Sequence, residues 1–284
     1  MAWDKIHKFL RMIDIENTLF GLPFAYLGTF LAVRGWPGFY SLFWITVAMV
    51  SARTAAMCLN RLIDRKLDRA NPRTQHWVMA REELPVPLIW LFALVLSGVL
   101  IYAAAQLNPL CLKLSPLAVL ILWGYSYTKR FTWLCHLILG AAIGMGPVGG
   151  WFAMTGTFDW QPFLLAAVVA TWIGGFDALY ACQDIDFDRK MGLYSIPARF
   201  GVRGAFLWVH LLHMGTIVFL VLTGVVLSLG WRYYVGVGIT AAILLYEHTL
   251  VKPSDLSQVG KAAFQLNHYV SSIIFLCTCW DLWA

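Results

Sequence analysis

Nine stretches of the chain are almost wholly apolar, over roughly 15–33, 38–59, 86–107, 110–128, 133–155, 162–182, 205–229, 231–250 and 263–282. Each comes close to the about 20 residues with which an α-helix crosses a hydrocarbon layer about 30 Å thick. In that layer no water is available to backbone amides, so such stretches form helices. The pattern therefore predicts an all-α, polytopic membrane protein with nine transmembrane helices. The connections after spans two and six are long and charged, whereas those after spans one, three, five and seven are short. Ahead of the first span, residues 1–14 set Asp4, Lys5, Lys8 and Arg11 among apolar positions. That mixture predicts an amphipathic helix in the membrane interface, not a cleaved leader.

Composition strengthens this picture. Of 284 residues, 60% are hydrophobic and 13% charged, against about 45–50% and about 25% in soluble domains. The six cysteines lie mostly inside apolar stretches without paired spacing and read as small apolar residues, not as disulfides or zinc ligands. A net charge of +6 could suggest nucleic acid. The basic residues instead fall in the connections, which excludes that class. Seventeen Lys and Arg lie on the side of the N-terminus, and only Arg34, Lys113 and Arg232 on the other; Arg53 sits within a span. The positive-inside rule makes the first side cytoplasmic and leaves the C-terminus on the opposite side.

Both long cytoplasmic connections open with acids phased for one helix face. Asn60, Asp64 and Asp68 stand at i, i+4 and i+8, drifting about 40° per step on a helix. Asp177, Tyr180, Asp184 and Asp188 are also in phase, while Asp186 falls on the opposite face. Asp64 to Asp184 and Asp68 to Asp188 are each 120 residues apart, at the cytoplasmic ends of spans two and six. A duplicated helical unit facing itself across a central cavity would bring these clusters together. Carboxylates stacked on one face repel one another and are costly near lipid. Salt bridges to Arg61, Arg65, Lys66, Arg69 and Arg189 would relieve that repulsion at a solvated helix end. The repetition at matched positions favours a hard divalent cation. Magnesium binds through a few carboxylates together with substrate phosphates, which two acidic faces around one diphosphate would suit.

Residues 60–68, Asn-Arg-Leu-Ile-Asp-Arg-Lys-Leu-Asp, match the NxxxDxxxD motif of the UbiA superfamily of intramembrane prenyltransferases. Residues 184–188 match its second acidic motif, and Tyr125 to Lys129 resemble its YxxxK element. The opening residues 16–25, Glu-Asn-Thr-Leu-Phe-Gly-Leu-Pro-Phe-Ala, resemble the 4-hydroxybenzoate polyprenyltransferase-like branch. The chain departs from that branch after Asn71-Pro72-Arg73-Thr74, where His76-Trp77-Val78 stand in place of an Arg-Pro pair.

The resemblance implies one integral-membrane domain over 1–284, with cytoplasmic cap segments at 61–85 and 183–204. It implies magnesium-dependent transfer of a polyprenyl group from polyprenyl diphosphate to a small aromatic acceptor, 4-hydroxybenzoate first, in quinone biosynthesis. Asn60, Asp64, Asp68, Asp184 and Asp188 are then the metal candidates. Lys129 and Arg130 are diphosphate candidates, with Arg61 beside them. Arg53 stands seven residues before Asn60 on the same face and could take diphosphate or an acceptor carboxylate. Asp177, Tyr125 and Tyr180 are the catalytic candidates. Asp177 would deprotonate the acceptor or order the cavity, and the tyrosines would bond the diphosphate or face an allylic cation. The glycines 140, 144, 146, 149 and 150 permit close helix approach or shape a prenyl tunnel. Asn267 and His268 read as a buried hydrogen-bonding pair, and His210 and His213 carry no assignment. Rival readings are the same chemistry on a menaquinone precursor, haem or an archaeal ether lipid, and, from another class, a cation transporter. Transport sites lie near the bilayer midplane, whereas most of these acids lie at its edge.

Overall fold

The computed structural model describes residues 2–260 and 266–284, apart from the side chains of 2, 15–20 and 268. Lys261, the side chains of Glu16 to Phe20 in the opening motif, and the side chain of His268 therefore fall outside the described residues.

Each expected span coincides with a helix. The elements are α1 (Ala2–Met12), α2 (Ile15–Val33), α3 (Phe39–Ala70), α4 (Val86–Leu107) and α5 (Pro109–Gly124). They continue as α6 (Cys135–Thr155), α7 (Pro162–Ala181), α8 (Ile185–Met191), α9 (Ile196–Val226), α10 (Trp231–Leu250) and α11 (Asn267–Trp283). Short 3₁₀ turns, Tyr125–Arg130 and Cys182–Asp184, extend α5 and join α7 to α8.

Six of the described helices are, by length and composition alone, long and apolar enough to cross a membrane: α3, α4, α5 with its extension, α6, α7 with α8, and α9. In α2 the described apolar stretch begins only at Gly21, and in α11 it begins at Tyr269. The 20-residue α10 carries Arg232, Glu247 and His248, which dilute its apolar character. The short α1 is amphipathic as expected. Trp3, Ile6 and Leu10 form an exposed apolar stripe, while Phe9 packs on Phe92 at 4.7 Å and Lys8 reaches Asp4 and Glu83.

Polar contacts between connections fall at two ends. At one end Arg34 donates to the Leu227 carbonyl, Asn108 to Phe152 O at 2.7 Å, and Gly230 N to Asp281 at 2.6 Å. At the other end Tyr194 N donates to Lys129 O at 2.7 Å and Lys8 meets Glu83 at 3.4 Å. This up-and-down order is the one that alternating connections require.

The packing repeats with the sequence. α3 packs on α4 and α7 on α9, so spans two and six take equivalent neighbours, while α2 and α6, spans one and five, pack on each other. Close approach depends on glycine. A Cβ on Gly28 would stand 2.1 Å from Pro147 O, and one on Gly140 would stand 2.4 Å from Ala170 O. Gly144 and Gly150 meet Ala166 O and Ala25 O in the same way, whereas Gly149 faces open space. Four of these positions thus serve helix packing, as in small-residue interfaces of other membrane helices.

Candidate active site

The 32-residue α3 spans about 48 Å at 1.5 Å per residue, more than the hydrocarbon thickness, so its last turns project beyond it. Those turns carry Asn60, Arg61, Asp64 and Asp68, and Arg53 lies deeper on the same helix. At its C-cap Asn71 turns extended, and its side-chain oxygen accepts from Arg73 N at 2.9 Å. This asparagine turn bends residues 71–74 back over the helix end, where the Thr74 hydroxyl donates to Asp68 O at 2.9 Å.

The second acidic series does not lie on one continuous α-helix. The 3₁₀ turn at Cys182–Asp184 interrupts it, and its tighter winding shifts the phase. Asp177, Tyr180, Asp184 and Asp188 nevertheless line the same cavity, of about 300 Å³, as Asn60, Asp64 and Asp68. Asp186 is exposed. Thus both motifs, 120 residues apart in sequence, face one space.

The inner acid of each motif is bound by cations. The buried Asp64 accepts from Lys129 at 2.7 Å and Arg130 at 2.9 Å, and Asn60 donates to it at 3.2 Å. Arg130 also donates to Ile63 O and Ser126 O and does not line the cavity; it backs Asp64 from behind. Across the cavity Arg73 grips Asp184 through Nε at 2.9 Å and through Nη2, and its Nη1 donates to Tyr180 at 2.7 Å. Asn71 donates to the same carboxylate at 2.9 Å. Burial opposes the charge on Arg73, but Asp184 outweighs it, with Tyr180 and Asp68 adding to the effect, and the guanidinium is held above its ordinary pKa. The outer acids differ. Asp68 is buried with no ion pair among the described residues, and the Asp188 carboxylate accepts from the Ser195 hydroxyl at 2.8 Å with no cation in ion-pair contact among them.

Magnesium takes oxygen ligands and keeps waters. Asp64, Asp68, Asp184 and Asp188 offer carboxylate oxygens and Asn60 an amide oxygen, and the buried Asp68 carboxylate lacks a counter-charge in contact among the described residues, so the donor set suits that ion. Among the described residues no three acids, histidines or cysteines stand close enough to cage a metal by themselves. The fit is to a metal–phosphate cluster, not to an ion held by protein alone.

Arg61 donates to Met12 O at 3.3 Å and stacks over Trp77 at 3.8 Å. The departure at residues 76–78 thus places an aromatic ring on a cavity arginine. Further in, Arg53 lines the wall with no carboxylate in ion-pair contact among the described residues. Tyr125 donates to Ala56 O at 3.4 Å. Asp177 pairs with His136 at 2.7 Å. Sequence reasoning missed Asn71, Arg73, Ser126, His136 and Ser195. Four of them sit in or beside loops and turns without periodicity. For His136 the one signal is an ionisable residue at the end of an apolar span.

A sequence model of the UbiA prenyltransferase family matches residues 21–269. The 4-hydroxybenzoate octaprenyltransferase of Methylobacillus flagellatus is 30% identical over 249 residues, covering 88% of this chain and 83% of its own. The apo structure of a UbiA homolog from Aeropyrum pernix K1 shares 32% identity at a TM-score of 0.86, covering 94% of this chain and 98% of that one. A UbiA homolog from Archaeoglobus fulgidus bound to DMAPP and Mg2+ superimposes at a TM-score of 0.66 over 94% of this chain and 99% of that one. At 19% identity it speaks to the fold alone.

Proposed function

The chain belongs to the UbiA prenyltransferase family and is a membrane-embedded prenyltransferase, and from that premise we propose that it moves a polyprenyl group from its diphosphate to an aromatic acid, 4-hydroxybenzoate first among them. The observation that carries this is a single cavity with two acidic motifs around it and Arg53, His136 and Asp177 also on its wall. The names of relatives at 30% identity support the acceptor. The DMAPP and Mg2+ bound by the fold neighbour support the donor and the metal.

The reaction requires a diphosphate to leave and an allylic cation to be sheltered from water. Asn60, Asp64, Asp68, Asp184 and Asp188 are the proposed metal ligands; magnesium there supplies Lewis-acid stabilisation of the departing diphosphate. Lys129, Arg61 and Arg73 neutralise phosphate oxygens, the arginines through their planar forks. Arg130 holds Asp64 in place. Lys129 and Arg73, engaged with Asp64 and Asp184 here, exchange carboxylate for phosphate when substrate arrives. Tyr125 and Tyr180 offer their ring faces to the allylic cation, while their hydroxyls are engaged with Ala56 O and Arg73. Arg53 takes the acceptor carboxylate. In this reading the chain is one integral-membrane domain, its N-terminal helix lying in the interface and residues 61–85 and 183–204 serving as cap segments on the proposed cytoplasmic side.

The test is direct. Purified protein with labelled prenyl diphosphate, magnesium and a panel of acceptors should yield a prenylated aromatic acid. Absence of product with every aromatic acid would sink the acceptor assignment. Cation flux through reconstituted protein without prenyl transfer would favour a transporter.

A further inference from the structure

We propose that His136 is the group that takes the proton released by the aromatic acceptor, with Asp177 as its positioning residue; this rests on the function proposed above and deepens it.

His136 is the second residue of α6 and is only 4% exposed. Its Nδ1 lies 2.7 Å from Asp177 Oδ2. An ionised carboxylate can only accept, so Nδ1 carries the hydrogen and donates it, and in the neutral ring Nε2 is left with a bare lone pair. That Nε2 is buried and has no hydrogen-bond partner among the described residues. The side chain lines the cavity shared with Arg53, Tyr125 and Asp188. Native proteins seldom leave a buried polar atom unpartnered, and His136 belongs to the wall of the candidate substrate cavity, so a group of the substrate is the partner left open to it. Near the imidazole stand Asp177 from α7, Asp188 from α8 and Cys135 on its own helix, and Lys129 from the 3₁₀ turn shares the cavity wall. Asp177 is the carboxylate in ion-pair contact, and the Cys135 side chain lies beside the ring.

The pairing has the logic of a carboxylate that fixes an imidazole tautomer and stabilises the imidazolium that forms. In the reaction the acceptor ring's π pair makes the bond to C1 of the prenyl group, and the C1–O pair leaves with the diphosphate. The substituted ring carbon then loses its hydrogen: the C–H pair returns to the ring, restoring aromaticity, and the proton passes to Nε2. Charge and atoms balance with no further reactant.

The experiment uses full-length enzyme with magnesium, prenyl diphosphate and 4-hydroxybenzoate. In H136N the amide keeps the bond to Asp177 but cannot accept the proton. Its kcat should fall about 100-fold or more, with KM for prenyl diphosphate within about twofold of wild type as the sign of an intact fold and donor site. In H136A, added imidazole should recover activity by roughly tenfold, as expected of a missing base, and an acceptor deuterated at the substituted ring carbon should slow H136N more than wild type. Asp177→Asn should lower kcat with no recovery by imidazole. An H136N enzyme with near-normal kcat, or an H136A loss that imidazole leaves unchanged, overturns the inference while leaving the proposed function intact. A wild-type enzyme that prenylates no aromatic acid overturns both.

Discussion

Two kinds of acid occupy the candidate site, and they differ in what they touch. Asp64 and Asp184 are each held by arginine or lysine, whereas Asp68 and Asp188 meet no cation in ion-pair contact among the described residues. Removal of an outer acid should therefore affect metal use more than folding. Asp68→Asn is expected to raise the magnesium concentration needed for half-maximal turnover by tenfold or more, on the order of 1.4 kcal/mol, with an unchanged melting temperature; unaltered magnesium dependence would remove Asp68 from the ligand set. Arg73 is the residue to test on the inner side. It binds Asp184 with two nitrogens and Tyr180 with a third, a geometry that lysine cannot reproduce. Arg73→Lys should raise KM for prenyl diphosphate by roughly tenfold or more, in line with the about 1.5–3 kcal/mol of a charged hydrogen bond. Steady-state kinetics at saturating acceptor would show it.

At the level of elements, helix contacts in the bundle rest on backbone-to-backbone approach. Gly28 of α2 meets Pro147 of α6, and Gly140 of α6 meets Ala170 of α7. A methyl at either place collides with backbone, not with a flexible side chain. Gly28→Ala or Gly140→Ala should lose about 1–3 kcal/mol as overpacked contacts do, seen as a lower melting temperature in detergent. Gly149→Ala, with nothing within 4 Å of its Cβ, should melt as wild type does. If all three variants melt alike, close packing is not what these glycines provide. The same helices show where periodicity misleads. The acids after α7 were expected in α-helical phase, but the 3₁₀ turn at Cys182–Asp184 resets it, since the Cys182 N–H is shared between Leu179 O and Tyr180 O.

For the whole molecule, the two ends of the bundle are distinct, and the candidate site belongs to one of them. Chelation with EDTA should abolish prenyl transfer, and magnesium should restore it fully; residual transfer in chelator would show that the diphosphate leaves without a metal. Seventeen basic residues on the N-terminal side predict, by the positive-inside rule, a cytoplasmic N-terminus. A phosphatase reporter fused after Ala284 should be active outside the cytoplasm, and one fused before Met1 should not be. The reverse pattern would place the site on the other face of the membrane.

Several conclusions are properties of the sequence alone. The nine apolar stretches, the amphipathic start and the 120-residue repeat are set by hydropathy and spacing, which act locally and survive without coordinates. That Asp64, Asp68, Asp184 and Asp188 belong together was legible from the 120-residue repeat, although helical phase described only the first pair. Tertiary structure alone decides who stands opposite whom. Arg73 lies in a loop with no period to phase it, and only the Asn71 turn carries it onto Asp184. His136 matches no motif, and only the packing of α6 on α7 brings it to Asp177 while leaving its other nitrogen buried without a partner among the described residues. Local patterns specify elements and the faces they bury; contacts between elements distant in sequence are settled by packing, and the chemistry of this cavity lies in those contacts.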